Sequence, residues 1–169
     1  MSVDKETIIK ALKELKTPYT AFVARDLGIP ERDIFKALPA EECTELDVKK
    51  LPEIVTELGK CGSVLLIVKS GGAVLEVESD LSKQSESRGY YNIMGDVAHM
   101  HIMLDGMDTV FAVHREPNLQ KPMVYSIQFF DPEGNPALKI FLTQDKEKKV
   151  YRENDMTTFN RIKESFIKG

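Results

Sequence analysis

Between residues 63 and 143 the chain is a succession of seven short apolar segments, SVLLIVK, AVLEVES, RGYYNIM, AHMHIML, DTVFAVHR, PMVYSIQFF and PALKIFLT, each cut off by turn-forming residues. No other feature restricts the fold as strongly. Segments of this length, rich in Val, Ile, Tyr and Phe, are strands. The links between them, such as Ser70-Gly71-Gly72, Gly95-Asp96, Asp105-Gly106 and Asp131-Pro132-Glu133-Gly134, are too short for crossover helices. Sequence neighbours are therefore expected to pair antiparallel, as a meander.

The flanking regions change period. Ile8, Ile9, Ala11, Leu12 and Leu15 predict an amphipathic helix over 5–16, stopped by Thr17 and Pro18. YTAFVARDLGIPERDIFKALP predicts two short helices around Gly28-Ile29-Pro30, with the outline of a helix-turn-helix. Val48, Leu51, Ile54, Val55 and Leu58 stripe a helix over 47–58, and Met156, Phe159, Ile162 and Phe166 stripe another over 154–168 behind an Asn154 or Asp155 cap. The order helices, sheet, helix is that of an α+β fold. Its size suits one domain, 1–169, with a helical segment 1–60 followed by sheet and C-terminal helix over 61–169. The polar stretch 81–87 is expected to be a mobile loop.

Composition removes several classes of function. No apolar run approaches the roughly 20 residues that span a bilayer, and the charged N-terminus is not a signal sequence, so a cytoplasmic protein without membrane insertion is expected. Cys43 and Cys61 lack CxxC spacing and are expected to pack as free thiols in a reducing compartment. A net charge of -4 argues against nucleic acid as a partner. Residues 1–40 carry seven Lys or Arg against six Asp or Glu, so the helix-turn-helix outline lacks the basic surface of a DNA reader, and a packing role is expected for it.

Two of the three histidines, His99 and His101, stand at i and i+2 in AHMHIML. In a strand they share one face, while Met100, Ile102 and Leu104 take the other. A two-residue loop at Gly95-Asp96 would set Tyr90 opposite His101 and Asn92 opposite His99. A turn centred on Gly106 and Met107 would set His99 opposite His114 and His101 opposite Ala112. One face would then gather all three histidines with Tyr90, Arg88, Met94, Met103 and Val110, and the other would bury Tyr91, Ile93, Met100, Ile102, Leu104, Phe111 and Val113. Such a face has three readings. It is a solvated surface, a three-histidine zinc site of a hydrolase or hydratase, or a heme site, in which His or Tyr ligates iron, Met lines the ring and Arg meets the propionates.

The residues themselves support a narrower reading. RGYYNIMGDVAHMHIML, FAVHRE, SIQFFDPEGNPALKIFLTQD and the closing helix with Phe159 resemble the cytosolic heme-utilization proteins of the HutX and ChuX type, over about residues 35–166 and including Ala37-Leu38-Pro39. The more specific pieces are Gly89-Tyr90-Tyr91-Asn92 followed by His101-Ile102, and Phe129-Phe130-Asp131 with Gly134 followed by Leu138-Lys139-Ile140-Phe141-Leu142. The resemblance implies a large antiparallel sheet flanked by helices, similar to one half of the HemS and ChuS type proteins. It also implies a homodimer that binds heme, and a heme donor or acceptor protein as partner. His101 and Tyr90 match positions that contact heme, and Arg88 or Arg115 is expected near the propionates, with Met103 beside the ring. Lys69 and Arg88 stand where some relatives carry histidines. The rival readings are a heme-degrading or tetrapyrrole-reducing enzyme using an external electron donor, the DNA reader and the zinc site.

Overall fold

The computed structural model describes residues 3–14, 19–116 and 123–169. Three helices open the chain: α1 (Lys5–Glu14), α2 (Thr20–Leu27) and α3 (Glu31–Ala37). β1 (Cys43–Leu46) and a 3-10 turn at Val48–Lys50 lead into α4 (Leu51–Leu58). Eight strands follow: β2 (Val64–Ser70), β3 (Ala73–Ser79), β4 (Gln84–Ser87), β5 (Tyr90–Met94), β6 (His99–Met103), β7 (Thr109–Arg115), β8 (Val124–Phe130) and β9 (Pro136–Leu142). Helix α5 (Glu153–Ser165) comes last. All seven expected strands and the expected helices form, and the fold is α+β. The end of the first helix, expected at residues 15–18, lies outside the described residues, and α5 begins at Glu153 behind Arg152, ahead of the expected Asn154 or Asp155 cap.

The strands build two sheets instead of one meander. Six of them lie in the order β1-β7-β8-β9-β2-β3, and β4-β5-β6 form a separate three-stranded sheet. Across the larger sheet Ala112, Ile127, Ile140 and Leu66 stand in register on one face. That face is the main core, closed by Leu51, Ile54, Val55 and Leu58 of α4, by Phe159 and Ile162 of α5, and by Tyr91, Ile93 and Ile102 of the smaller sheet. Full burial of one such aliphatic side chain contributes about 1.5–3 kcal/mol. The alternate residues Phe111, Val113 and Phe130 face the other way, onto Phe35 and Leu38, with Ile9 and Leu12 of α1 alongside.

The expected pairing of β6 with β7 does not occur. Residues 104–106 form a 3-10 turn that carries the chain out of the smaller sheet, and β7 pairs with β1 and β8. A turn can close a hairpin only if both strands remain in one sheet, and the apolar faces of β6 and β7 instead meet across the core. His114 therefore lies opposite Tyr125, not His99, and Ala112 lies opposite Ile127 and Thr44, not His101. Val110 is buried in the main core and is absent from the histidine face, whereas Phe111 and Val113 belong to the core on the far side of the larger sheet.

The β5–β6 link also differs from expectation. It is four residues long, 95–98, so Tyr90 pairs with Met103, Asn92 with His101 and Met94 with His99. The cause is a clamp from the β3–β4 connection. A side chain on Gly95 would stand 2.4 Å from the Asp80 carbonyl oxygen, and the Asp96 N–H donates to Asp80 Oδ2 at 2.9 Å while the Ala98 N–H donates to Ser79 Oγ at 3.3 Å. The Asp96 N–H, together with the hydroxyl and N–H of Ser82, holds the Asp80 carboxyl down at about 2. The shift is two residues, an even number, so every side chain keeps its face.

Two strands were not legible. β1 is short, and its edge is covered by the C-terminal tail through a Leu46–Ile167 bridge. Residues 84–87, expected to be a loop, are edge strand β4. Gln84 is the strand's one partly buried residue, its side-chain N–H donating to Val55 O and its Oε1 accepting from Tyr91 Oη at 2.6 Å. An edge strand of Gln, Ser and Glu has no apolar alternation to announce it.

Helix α3 packs as expected: it buries Glu31, Ile34, Phe35 and Ala37, and Arg32 pairs with Asp108 at 3.0 Å. Glu31 accepts from Thr20 Oγ1 and from Lys139 Nζ, both at 2.6 Å, tying α2 and α3 to β9. Lys139 is 16% and Glu31 4% exposed at the side chain. Removing one member of a buried pair strands the other charge. Glu31→Ala is expected to destabilise the protein by about 3 kcal/mol, at the lower end for such pairs because Lys139 retains some water. Urea unfolding checks this, and a loss below about 1 kcal/mol would show that the pair is not an anchor.

Candidate functional site

The smaller sheet has one buried and one open face. Tyr91, Ile93 and Ile102 point into the core, where Tyr91 Oη donates to Gln84 and shares a 2.7 Å hydrogen bond with Thr56 Oγ1. Strand alternation then turns Tyr90, Asn92 and Met94 of β5 outward beside Met103, His101 and His99 of β6. Tyr90 is 39%, Met94 37% and Met103 47% exposed, large apolar surfaces in water without a packing role.

The Arg88-Gly89 loop joins β4 to β5 with Ser87 paired to Tyr90. Both loop residues have positive φ, 52° and 78°, the requirement of a two-residue type I′ hairpin. Such loops favour Asn-Gly, and a left-handed Arg costs about 1 kcal/mol. Its consequence is position. Arg88 joins Ser87, Tyr90, Asn92 and His101 around one open cavity of about 540 Å³, a volume within the range of small-molecule sites.

His101 Nδ1 lies 2.7 Å from Asn92 Oδ1, and the Asn92 side-chain N–H groups donate to Ser85 O at 3.2 Å and Tyr90 O at 3.4 Å. Tyr90 stands on the diagonal from His101, two residues along the strand, within reach of a shared ligand. The cavity thus offers an imidazole, a phenol, a guanidinium and an amide from two strands and a turn, with thioethers on the same face. Ser87 and Asn92 were not singled out from the sequence as ligand-lining residues. Asn92 was assigned to this face, but opposite the wrong histidine.

Other expected members lie apart. Arg115 projects from β7 on the same side as Phe111 and Val113, away from the smaller sheet, and its Nε is 3.4 Å from Glu42 Oε2. His99 pairs with Met94 beyond the cavity lining. His114 lies on the larger sheet, stacked on Tyr125 at 6.2 Å and 9° and set edge-on to Phe159. Three histidines therefore do not converge, and among the described residues no three His, Cys, Asp or Glu could hold one metal ion. Cys43 and Cys61 are free and buried, and burial pushes both thiols up to about 12, as packing residues. No described helix is long and apolar enough to cross a membrane.

Two measurements follow. Arg88→Asn is expected to raise stability by about 0.5–1 kcal/mol by relieving the left-handed arginine, seen as a higher urea midpoint; no gain would remove the strain argument. Burial, assisted by Lys163 and opposed by Glu42, holds the His114 imidazole below its ordinary value. Below about pH 6.5 the unfolded chain then binds a proton that the folded chain resists, so stability falls as pH falls from 7.5 to 5.5. His114 Nδ1 is buried without a hydrogen-bond partner among the described residues, so His114→Phe sacrifices no bond there and should flatten this dependence. An unaltered slope in the variant would assign the effect elsewhere.

Comparison with known proteins identifies the family. Residues 44–162 match the profile of the family described as haem utilisation ChuX/HutX. Over 151 residues the chain is 30% identical to the intracellular heme transport protein HutX of Vibrio cholerae, covering 88% of this chain and 77% of that one. The solved structure of the heme binding protein ChuX superposes with a TM-score of 0.80 at 22% identity, covering 94% of this chain and 97% of that one. The heme degrading enzyme ChuS of Escherichia coli O157:H7 gives 0.77 at 13% identity, covering 99% of this chain but 49% of that one. At these identities the two structures establish the fold, and the second is about twice as long as this chain. Because the matched region runs from β1 into α5 and takes in both sheets, this chain belongs to the haem utilisation ChuX/HutX family.

Proposed function

We propose that this protein binds heme in the cytoplasm and passes it on, as a carrier or buffer in heme uptake and iron utilization. The observation that carries the reading is the gathering of His101, Tyr90 and Arg88 around one open cavity on a Met-bearing sheet face. The donor set fits the cargo. Ferric heme offers an iron with axial positions to fill and two carboxylates, and this face holds a nitrogen ligand, an oxygen ligand, a cation and apolar thioethers. His101 or Tyr90 ligates the iron, Arg88 pairs with a propionate, and Met103 covers part of the ring edge. Arg115, held by Glu42 on the other side of the larger sheet, is left out of this assignment.

His101 and Tyr90 rise from the same face of one sheet, so one chain supplies a ligand to one side of the porphyrin only. The opposite side stays available to water, to a second copy of this chain or to a receiving protein. Release then requires one protein–iron bond to break, which suits a carrier. A homodimer is part of this reading, supported by the match of the whole chain to half of a double-length protein. So is the treatment of residues 1–169 as one domain, with a heme donor or acceptor protein as its transient partner.

Hemin titration followed at the Soret band tests the proposal. His101→Ala and Tyr90→Phe are expected to differ from wild type, the ligand variant shifting the band and weakening binding at least about tenfold, equivalent to 1.4 kcal/mol. Arg88→Ala should weaken binding about tenfold and reduce its salt sensitivity. Unchanged spectra and affinity in both His101→Ala and Tyr90→Phe would reject the site. When reductant is added to the loaded protein the Soret band should persist; its loss with release of iron would replace the carrier by a degrading enzyme.

A further inference from the structure

We infer that Asn92 is the positioning residue that selects the tautomer of His101, fixing the proton on Nδ1 and leaving Nε2 as the atom able to ligate a metal. The inference deepens the heme-carrier reading and rests on it for the identity of the metal, but the tautomer itself is argued from the protein alone.

The argument is one of donors and acceptors. The Asn92 amide nitrogen lies within 3.2 Å of Ser85 O and 3.4 Å of Tyr90 O, and both carbonyl oxygens can only accept. The amide is therefore oriented with its nitrogen toward β4 and the backbone of β5, and its oxygen toward β6. Asn92 Oδ1 can only accept as well, and it lies 2.7 Å from His101 Nδ1. That contact is a hydrogen bond only if Nδ1 carries hydrogen. In the neutral ring the lone pair must then be on Nε2, which is also the nitrogen further from the backbone.

Three consequences follow for a ligand at this site. The ring is held at one edge, so less freedom is lost when Nε2 binds. An Nδ1–H bonded to an oxygen makes Nε2 a stronger donor, as outer hydrogen bonds do for metal-bound histidines generally. And because Asn92 bonds to Ser85 and Tyr90, the imidazole is tied to the hairpin that carries Arg88 and Tyr90. The three ligand-facing groups are thereby indexed to one another through one amide, although they come from different strands and a turn. His99, two residues away on the same face, has Met94 opposite it and no such acceptor from its strand partner.

The test has an arm without heme and an arm with it. In the unloaded protein at pH 8, long-range ¹H–¹⁵N correlation should show His101 as a single Nδ1–H tautomer, assigned by its absence from the His101→Gln spectrum. Asn92→Ala should return the ring to a mixture rich in Nε2–H, whereas Asn92→Asp, which keeps an acceptor oxygen, should preserve Nδ1–H. In the hemin-loaded protein, transfer to apomyoglobin should be about 10–100-fold faster for Asn92→Ala than for wild type. Asn92→Asp should release heme no faster than wild type, and its ferrous iron–histidine stretch should move to higher frequency. A residue that only stitched the strands together through its amide nitrogen would show the reverse, with Asp as damaging as Ala. An Nε2–H ring in the wild type, or an unchanged tautomer in Asn92→Ala, overturns the inference. If the tautomer behaves as described while His101→Ala leaves the Soret band unmoved, Asn92 retains its control of the ring and the ligand assignment of His101 falls.

Discussion

The open face of the small sheet exists because its other face is buried. Tyr91, Ile93 and Ile102 dock on the same core as Val110, Ala112, Ile127 and Ile140 of the larger sheet, and the two-residue period of a strand leaves Tyr90, Asn92 and His101 no direction but outward. A three-stranded sheet needs an apolar face to be stable in water, and this one closes its apolar face against the larger sheet and α4. The backbone that carries the site is accordingly held by the core behind it, while its side chains face outward. Tyr91 contributes twice, through its ring and through a hydroxyl held by Gln84 and Thr56, which ties the sheet to α4.

Local devices refine what that burial imposes. The Ser79-Asp80 clamp decides where β6 begins and so which residue faces His101. The Arg88-Gly89 turn accepts a left-handed arginine and thereby brings a cation to the cavity rim. Strain of this kind at a turn that lines a cavity is a common mark of function, since a hairpin selected for stability alone favours asparagine there. In the proposed reading, an exposed cavity with one ligand direction suits a molecule that holds its cargo and gives it up. An enclosed pocket with ligands on both sides would bind more tightly and release more slowly.

The family resemblance noticed in the motifs and the one found by comparison concern the same stretch of chain, and the geometry explains why that stretch is distinctive. Gly89-Tyr90-Tyr91-Asn92 encodes a positive-φ turn residue, an outward phenol, an inward anchor and an outward amide in four consecutive positions. Phe129-Phe130-Asp131 with Gly134 encodes one aromatic for each core and a turn that docks on α3, where the Gly134 carbonyl accepts from the Arg32 N–H at 3.1 Å. Each residue answers a separate physical demand.

Periodicity and turn chemistry were enough to identify the helices, seven of the strands and the side of β5 and β6 on which each residue lies. These are properties of neighbouring residues, set by backbone geometry and the separation of apolar from polar groups, and they survive an even-numbered slip in register. Which strand pairs with which was not of that kind. The departure of β7 into another sheet, the separation of His114 and Arg115 from His101, the polar edge strand β4 and the contact of Asn92 with His101 depend on residues far apart in sequence. Leu46 beside Ile167 and Glu31 beside Lys139 are examples. Burial couples such positions only once the chain is compact, so the amino-acid order determined the chemistry of the face, and the tertiary packing decided its membership.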